Sequence, residues 1–166
     1  MLIVFSGLPG SGKTTIARAL APQLRATYLR IDSLEQGLRN AGLAEVGTAG
    51  YEIALQLAAA NLALGNPVLA DCVNPVAESR AAWQRLAQDQ GVGLLEIEVL
   101  CSDVLEHRRR VEQRQLDVPG LQKPSWQSVL DHDYQPWIWP VLRLDSAQLS
   151  PQQAVALILA HLSGLG

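Results

Sequence analysis

An α/β protein, with a parallel sheet covered by helices on both faces, is the fold class that this sequence predicts. Three observations point to it. Short, continuously apolar runs recur along the 166 residues, longer segments with apolar residues at helical spacing lie between them, and the first run stops at a glycine-rich turn. Apolar residues make up 48% and charged residues 17% of the chain, a globular balance in a length that suits one domain, 1–166.

Leu2-Ile3-Val4-Phe5 is the first buried strand. Thr14 to Leu24 follows as a helix, with Ile16, Ala17, Leu20, Ala21 and Leu24 on one face, and Pro22 is expected to end or kink it. Thr27 to Ile31 reads as a second strand ending at Asp32, and Ser33 to Arg39 as a short helix closed by Asn40-Ala41-Gly42. Thr48 to Leu64 is an alanine- and leucine-rich helix, with Thr48 as N-cap and Gly65-Asn66-Pro67 as its stop. Val68-Leu69-Ala70 is a third strand ending at Asp71, and Glu78 to Gln90 a helix closed by Gly91. Leu94 to Leu100 is the fourth strand, after which Ser102 or Asp103 caps an arginine-rich helix. A polar stretch with several prolines, Leu116 to Pro140, precedes the fifth strand at Val141 to Leu144. The last helix opens with Ser150 as N-cap, Pro151 at its first position and Gln153 completing a capping box.

Charge and cysteine usage narrow the function classes. A net charge of -3 provides no overall basic field to gather nucleic acid or an anionic membrane, although a nucleic-acid substrate stays open. Two cysteines, Cys72 and Cys101, form neither a disulfide framework nor a metal-ligand spacing. No apolar run is long enough to span a bilayer, so a cytoplasmic protein is expected. The three histidines show no ligand spacing. Of the 13 basic residues only Lys13 and Lys123 are lysine, which makes the position of each informative.

Lys13 sits in Gly7-Leu8-Pro9-Gly10-Ser11-Gly12-Lys13-Thr14, a G-x-x-x-x-G-K-T sequence between a strand and a helix, which is the context a phosphate-binding P-loop requires. Its glycines let backbone N–H groups turn inward around phosphate oxygens, and the helix that follows adds a favourable dipole. Gly7, Pro9, Gly10, Ser11, Gly12, Lys13, Thr14 and Thr15 are the candidate nucleotide-binding set. Lys13 bridges the β- and γ-phosphates in this reading, and the Thr14 hydroxyl ligates Mg²⁺.

On this motif the sequence resembles the P-loop small-molecule kinases, such as gluconate kinase, adenylylsulfate kinase and chloramphenicol phosphotransferase. It most nearly resembles a group of bacterial predicted ATP-binding kinases with Asp-x-Val-Asn-Pro after the third strand, here Asp71-Cys72-Val73-Asn74-Pro75. The resemblance implies a three-layer P-loop NTPase fold with strand order 2-3-1-4-5, an adenine site near the last strand, and an arginine-bearing lid after the fourth, at about residues 103–125. In that order the third strand adjoins the first, so Asp71 lies beside the P-loop and holds Mg²⁺ through its water shell. The second strand lies one place further out, so Asp32 faces the acceptor and orients or deprotonates its hydroxyl. A helix cap or turn is the alternative for either aspartate. Related kinases often carry arginine three residues after the first aspartate, where this chain has Glu35, with Arg39 a turn later.

Arg108, Arg109, Arg110 and Arg114 fall within one expected helix, with Arg110 and Arg114 sharing a face by i,i+4 spacing. As lid arginines, Arg110 and Arg114 stabilise charge on the phosphoryl group in transfer; the alternative is a solvated face in which Glu106 pairs with Arg110. Asn74 and Arg80 are candidates for the acceptor pocket, or an Asn-Pro turn and a helix-surface arginine. Tyr134, Trp137 and Trp139 line a ligand pocket or pack in the core. Asp71 is followed by Cys72 rather than the glutamate that many ATPases use on water, which favours transfer over hydrolysis, and no Asn-Lys-x-Asp segment marks a GTPase. The leading expectation is an ATP- and Mg²⁺-dependent phosphotransferase acting on a hydroxyl of a small molecule. A polynucleotide or nucleoside kinase, or a regulatory or toxin-antitoxin-like nucleotide-binding module, are the alternatives.

Overall fold

The computed structural model describes residues 1–164. Five parallel strands, β1 (Leu2–Ser6), β2 (Thr27–Arg30), β3 (Val68–Asp71), β4 (Leu94–Leu100) and β5 (Leu142–Asp145), form one sheet in the order β2-β3-β1-β4-β5. The helices are α1 (Lys13–Leu24), α2 (Ile31–Asn40), α3 (Ala49–Ala63), α4 (Ala77–Asp89), α5 (Val104–Gln113), α6 (Trp126–Leu130) and α7 (Pro151–Ser163).

The strand pleat explains why the central strands read as unbroken apolar runs. Alternate residues of β1 enter different cores: Ile3 and Phe5 pack with Ile16, Leu20, Ala154 and Ile158 of α1 and α7, whereas Leu2 and Val4 pack with Ala54, Ala58 and Trp83 of α3 and α4. Both faces of the strand are covered, so both sets of residues are apolar. The register pairs Phe5 with Asp71 and Arg30 with Asp71, which brings the ends of β1, β2 and β3 level with one another.

Several expected boundaries shift for physical reasons. Pro22 lies inside α1 without ending it at that point; the helix continues to Leu24, and Arg25, with φ 50°, then returns its N–H to Ala21 and Pro22. β2 stops at Arg30 and α2 starts at Ile31, so Asp32 lies in the first turn of a helix rather than at a strand terminus. α5 ends at Gln113, and Arg114 turns into extended backbone (φ -54°, ψ 125°). Arg110 and Arg114 therefore do not share a helix face. Asp103 is the residue that caps α5, accepting from the N–H groups of Leu105 and Glu106, and Ser150 and Gln153 form the capping box of α7. The polar stretch before β5 contains α6, with Ser125 accepting from the Ser128 N–H as its cap.

Arg80 is neither a surface residue nor part of a pocket. It is 1% exposed. Its guanidinium donates to the carbonyls of Asn74, Pro75, Gln135 and Pro136 and lies 4.2 Å from the Trp137 ring centroid, tying the β3–α4 loop to the segment before β5. Arg80→Met keeps most of the volume and leaves four carbonyl acceptors without this donor. The expected loss is about 3 kcal/mol or more, read as a lower midpoint in urea denaturation.

Candidate active site

The turn after β1 is defined by how closely its backbone approaches its neighbours. A Cβ on Gly7, at φ 145°, would lie 2.2 Å from the Val99 carbonyl of β4; one on Gly10, at φ 81°, would lie 2.5 Å from Val111 Cγ2 of α5. Three hydrogen bonds then fix the loop. The Gly7 N–H donates to the Val73 carbonyl, Asn74 Nδ2 donates to Ser6 Oγ at 3.0 Å, and His107 Nε2 lies 2.8 Å from the Pro9 carbonyl. A carbonyl only accepts, so the His107 proton is on Nε2. Trp126 packs edge-on against that imidazole with ring centroids 5.2 Å apart. Asn74 itself is fully buried at φ 50° and donates its backbone N–H to the Tyr51 hydroxyl oxygen at 2.9 Å. Asn74 thus serves the loop from behind. Nothing in the sequence marked His107 or Tyr51 for these roles.

A cavity of about 490 Å³ opens over this loop and the start of α1. Gly10, Gly12, Lys13, Thr14 and Thr15 form its floor, while Arg18, Arg110, Arg114, Gln115 and Asp117 stand around it. Gly7, Pro9 and Ser11 are not part of its lining: Gly7 and Ser11 border a smaller cavity with His107, the Pro9 carbonyl is held by His107, and the Ser11 hydroxyl is buried with no hydrogen-bond partner among the described residues. Lys13 is 6% exposed, so its ammonium is enclosed beside the glycines. Four cationic side chains against one carboxylate make this a cavity for a polyanion.

A second cavity of about 370 Å³ adjoins it, lined by Gly12, Thr15, Ile16, Arg110 and the loop from Ser146 to Pro151 that links β5 to α7. Arg110 stands between the two. It donates to Ser146 Oγ at 2.7 Å and to the Ser146 carbonyl at 3.1 Å, and its Nε holds Glu106 Oε1 at 2.7 Å. The Glu106–Arg110 pair expected of a solvated face is therefore present, yet it aims Arg110 across the cavity mouth. Bonds from Arg109 and Arg110 hold the Glu106 carboxyl down at about 2, so it stays ionised and keeps orienting Arg110 at any ordinary pH. Arg108 and Arg109 pair with Glu112 and Glu106 on the outer face.

On the other side, Asp32 and Arg114 meet at 3.7 Å (Oδ2 to Nη2), and Asp32 lies 3.3 Å from Arg30 Nη2. Arg30, buried at the end of β2, also grips Asp117, which Arg18 reaches at 2.7 Å. Arg18, Arg30 and Asp117 escape a reading along the chain because the partners lie 87 and 99 positions apart. Glu35, next to this group, pairs with Arg39 at 3.5 Å; burial against α3 raises its carboxyl above the usual range, with Asp32 adding to the rise.

Asp71 is 2% exposed at the end of β3. Its Oδ2 accepts from the Tyr28 hydroxyl at 2.7 Å, and burial beside this carboxylate pushes the Tyr28 phenol far above its ordinary value, so Tyr28 remains a donor. Oδ1 is buried with no partner among the described residues. An unpartnered carboxylate oxygen at the end of β3 and the Thr14 hydroxyl on the cavity floor are hard-oxygen donors of the kind that suits Mg²⁺. Cys72, the next residue, is buried with its Sγ on the Phe5 carbonyl, and burial raises its thiol strongly. Tyr134 borders a smaller cavity with Gly7 and His107, whereas Trp137 stacks on Arg80 and Trp139 donates to Glu96.

Residues 2–129 match the family model described as an AAA domain. A curated relative from Aeropyrum pernix, named a probable adenylyl-sulfate kinase, is 30% identical over 161 residues, spanning 88% of this chain and 83% of the relative. Among solved structures, the APS kinase of Mycobacterium tuberculosis in complex with AMPPNP and APS superposes with a TM-score of 0.66 at 22% identity, covering 98% of this chain and 96% of that one. A gluconokinase from Sinorhizobium meliloti 1021 does so with a TM-score of 0.63 at 20% identity, covering 98% and 91%. The two structures share the fold, the curated relative and the family model share the sequence, and the P-loop geometry agrees with both: the chain belongs to the AAA-domain family and is a P-loop kinase, a phosphotransferase.

Proposed function

We propose that the chain transfers the γ-phosphate of ATP, with Mg²⁺, to a hydroxyl of a small molecule. The observation that carries this reading is the division of the cavity into two sides. Lys13 and Thr14 lie on the floor between them, Arg110 with Gly12 and Thr15 borders the β5–α7 loop on one side, and Arg114, paired with Asp32, stands toward β2 on the other. A hydrolase needs only one of them.

The nucleotide lies with its phosphates in the ring of N–H groups after β1 and its base in the cavity beside Ser146–Pro151. Lys13 neutralises charge between the β- and γ-phosphates, and Arg110, braced by Glu106 and Ser146, closes the phosphates from above. Thr14 and, through water, Asp71 hold Mg²⁺, which when bound neutralises the phosphate oxygens and draws charge from the transferring group. Tyr28 fixes one Asp71 oxygen and so presents the other. Asp32 takes or orients the acceptor's hydroxyl proton, and Arg114 meets the charge that develops on the phosphoryl group. The segment about 103–125, carrying both Arg110 and Arg114, acts as the lid. The likeness to kinases of adenylylsulfate and gluconate supports a small-molecule acceptor in preference to a polynucleotide.

Lys13→Ala removes the cation on the cavity floor, beneath the arginines of its walls, and calorimetry with ATP is expected to show binding lost along with turnover. The two aspartates separate in a paired Mg²⁺ titration. Asp71→Asn shifts activity to higher Mg²⁺, whereas Asp32→Asn leaves Mg²⁺-ATP affinity close to wild type and lowers kcat by about 10² to 10⁴. The reverse pattern exchanges the metal and acceptor sides and refutes the assignment.

The two lid arginines are expected to act differently. Arg114→Ala lowers kcat by about a hundredfold with little change in the KM for ATP, and Arg110→Ala also raises that KM because it borders the base cavity. Steady-state kinetics on each variant test this.

The lid's tether is pH-dependent. The bond from Arg30 holds the Asp117 carboxyl below its ordinary value near ~3.9, so the ionised tether is fully present above that pH and is lost as pH falls through the lower folded value. Hydrogen exchange, corrected for intrinsic rates, is expected to rise in residues 114–121 on acidification through that range before it rises in β1 and β3. Asp117→Asn removes the step.

A further inference from the structure

Three arginines from three elements converge on two carboxylates at the β2 side of the cavity. Arg18 comes from α1, Arg30 from the end of β2 and Arg114 from the turn after α5. Arg30 is the unusual one. Its side chain is 5% exposed, Nη1 lies 2.9 and 2.8 Å from the two Asp117 oxygens, Nη2 lies 3.3 Å from Asp32, and Nε is buried with no partner among the described residues. Asp117 is 40% exposed and lines the cavity, whereas Arg30 does not. The cavity wall at this end is thus the Asp117 carboxylate itself, and behind it lies a buried guanidinium.

A buried arginine needs an anionic or otherwise strong acceptor. Arg80 has a permanent set supplied by four backbone carbonyls. Arg30 takes its main partner from irregular chain, 87 positions away, in the segment between α5 and α6. Such a partner can leave. The Nη1 that holds both Asp117 oxygens can take the oxygens of a carboxylate, a phosphate or a sulfate in the same way, so an outside anion can replace Asp117 at little net cost.

We propose that the phosphoryl acceptor carries an anionic group, a carboxylate, phosphate or sulfate, which displaces Asp117 from Arg30 and Arg18. Asp117 stands in for that group in the empty enzyme. Arg30 offers one arm to the anion and keeps the other on Asp32, so the acceptor's hydroxyl is delivered beside the residue that takes its proton. A neutral acceptor gains nothing from this arrangement, because it either leaves Asp117 in place across the cavity or strands the Nη1 arm of Arg30 without an anionic acceptor. This inference rests on the kinase reading and adds the substrate class to it.

The probe is inorganic sulfate, titrated at constant ionic strength into enzyme saturated with AMPPNP and Mg²⁺, so that the phosphate loop is already filled. Asp117→Asn removes the competing charge from an exposed position, and sulfate is expected to bind it about tenfold tighter than wild type. Adding Arg30→Met abolishes that gain. Arg18→Gln, on the exposed face of α1, reduces it and serves where the Arg30 variant does not fold. Unchanged sulfate affinity in Asp117→Asn overturns the proposal, as does a gain that survives both arginine substitutions, since the anion then binds elsewhere. Loss of AMPPNP binding in the wild-type protein refutes the kinase reading itself; intact AMPPNP binding with a flat sulfate response refutes only the acceptor class.

Discussion

The active site depends on a backbone that passes its neighbours too closely for side chains. Gly7 lies against the Val99 carbonyl and Gly10 against Val111, so β4 and α5 press the turn after β1 from two sides. That proximity is possible only because the strand order sets β1 between β3 and β4. With the turn compressed, three outside groups take up its polar atoms: Val73 behind Gly7, Asn74 on Ser6, and His107 on Pro9. Gly10, Gly12, Lys13 and Thr14 of the same turn line the cavity. Preorganisation of this kind matters because donors already fixed in place need no reorganisation when phosphate charge arrives.

The same constraint links the two ends of the machinery. His107, which holds Pro9, and Arg110, which closes the cavity mouth, are one turn apart on α5, and Val111 lies over Gly10 on the same helix. A shift of α5 along its axis would move the phosphate loop and the closing arginine together. On the face of the sheet covered by α3 and α4, buried Arg80 ties the Asn74-Pro75 loop to the Gln135-Pro136 segment, so the loop's rear support is itself anchored.

Local signals carried most of the fold. Strand runs, helical spacing and the Ser150–Gln153 capping box are short-range features, and each placed its element to within a residue or two. The Gly7–Thr14 turn was legible because its chemistry is contained in eight consecutive residues. What stayed hidden depends on contacts between distant positions. Spacing alone placed Arg110 and Arg114 on one face, but α5 stops at Gln113, and the two arginines part toward Ser146 and Asp32. Arg80 carries nothing in its neighbourhood to distinguish it from a surface arginine, since its four acceptors belong to loops that meet only in the folded chain. Arg30 looked like the penultimate residue of a strand, and Asp117 like part of a polar connector.

Arg30 and Arg80 show two solutions to one electrostatic problem. Moving a guanidinium out of water costs several kcal/mol unless its donors are met, roughly the same for both side chains. Arg80 is met by neutral carbonyls of the main chain and by the faces of Trp137 and Tyr134, a set of backbone and ring acceptors in which no ionised side chain takes part. Arg30 is met by carboxylates, of which Asp117 is two-fifths exposed and belongs to no helix or strand. A purely structural arginine gains nothing from a partner of that kind. The arrangement has a physical purpose if the charge on Arg30 is intended for a visitor, with the aspartate keeping it neutralised in the meantime. The free energy of folding then carries the cost of burying the cation, and an arriving anion meets a guanidinium already dehydrated, oriented and joined to Asp32.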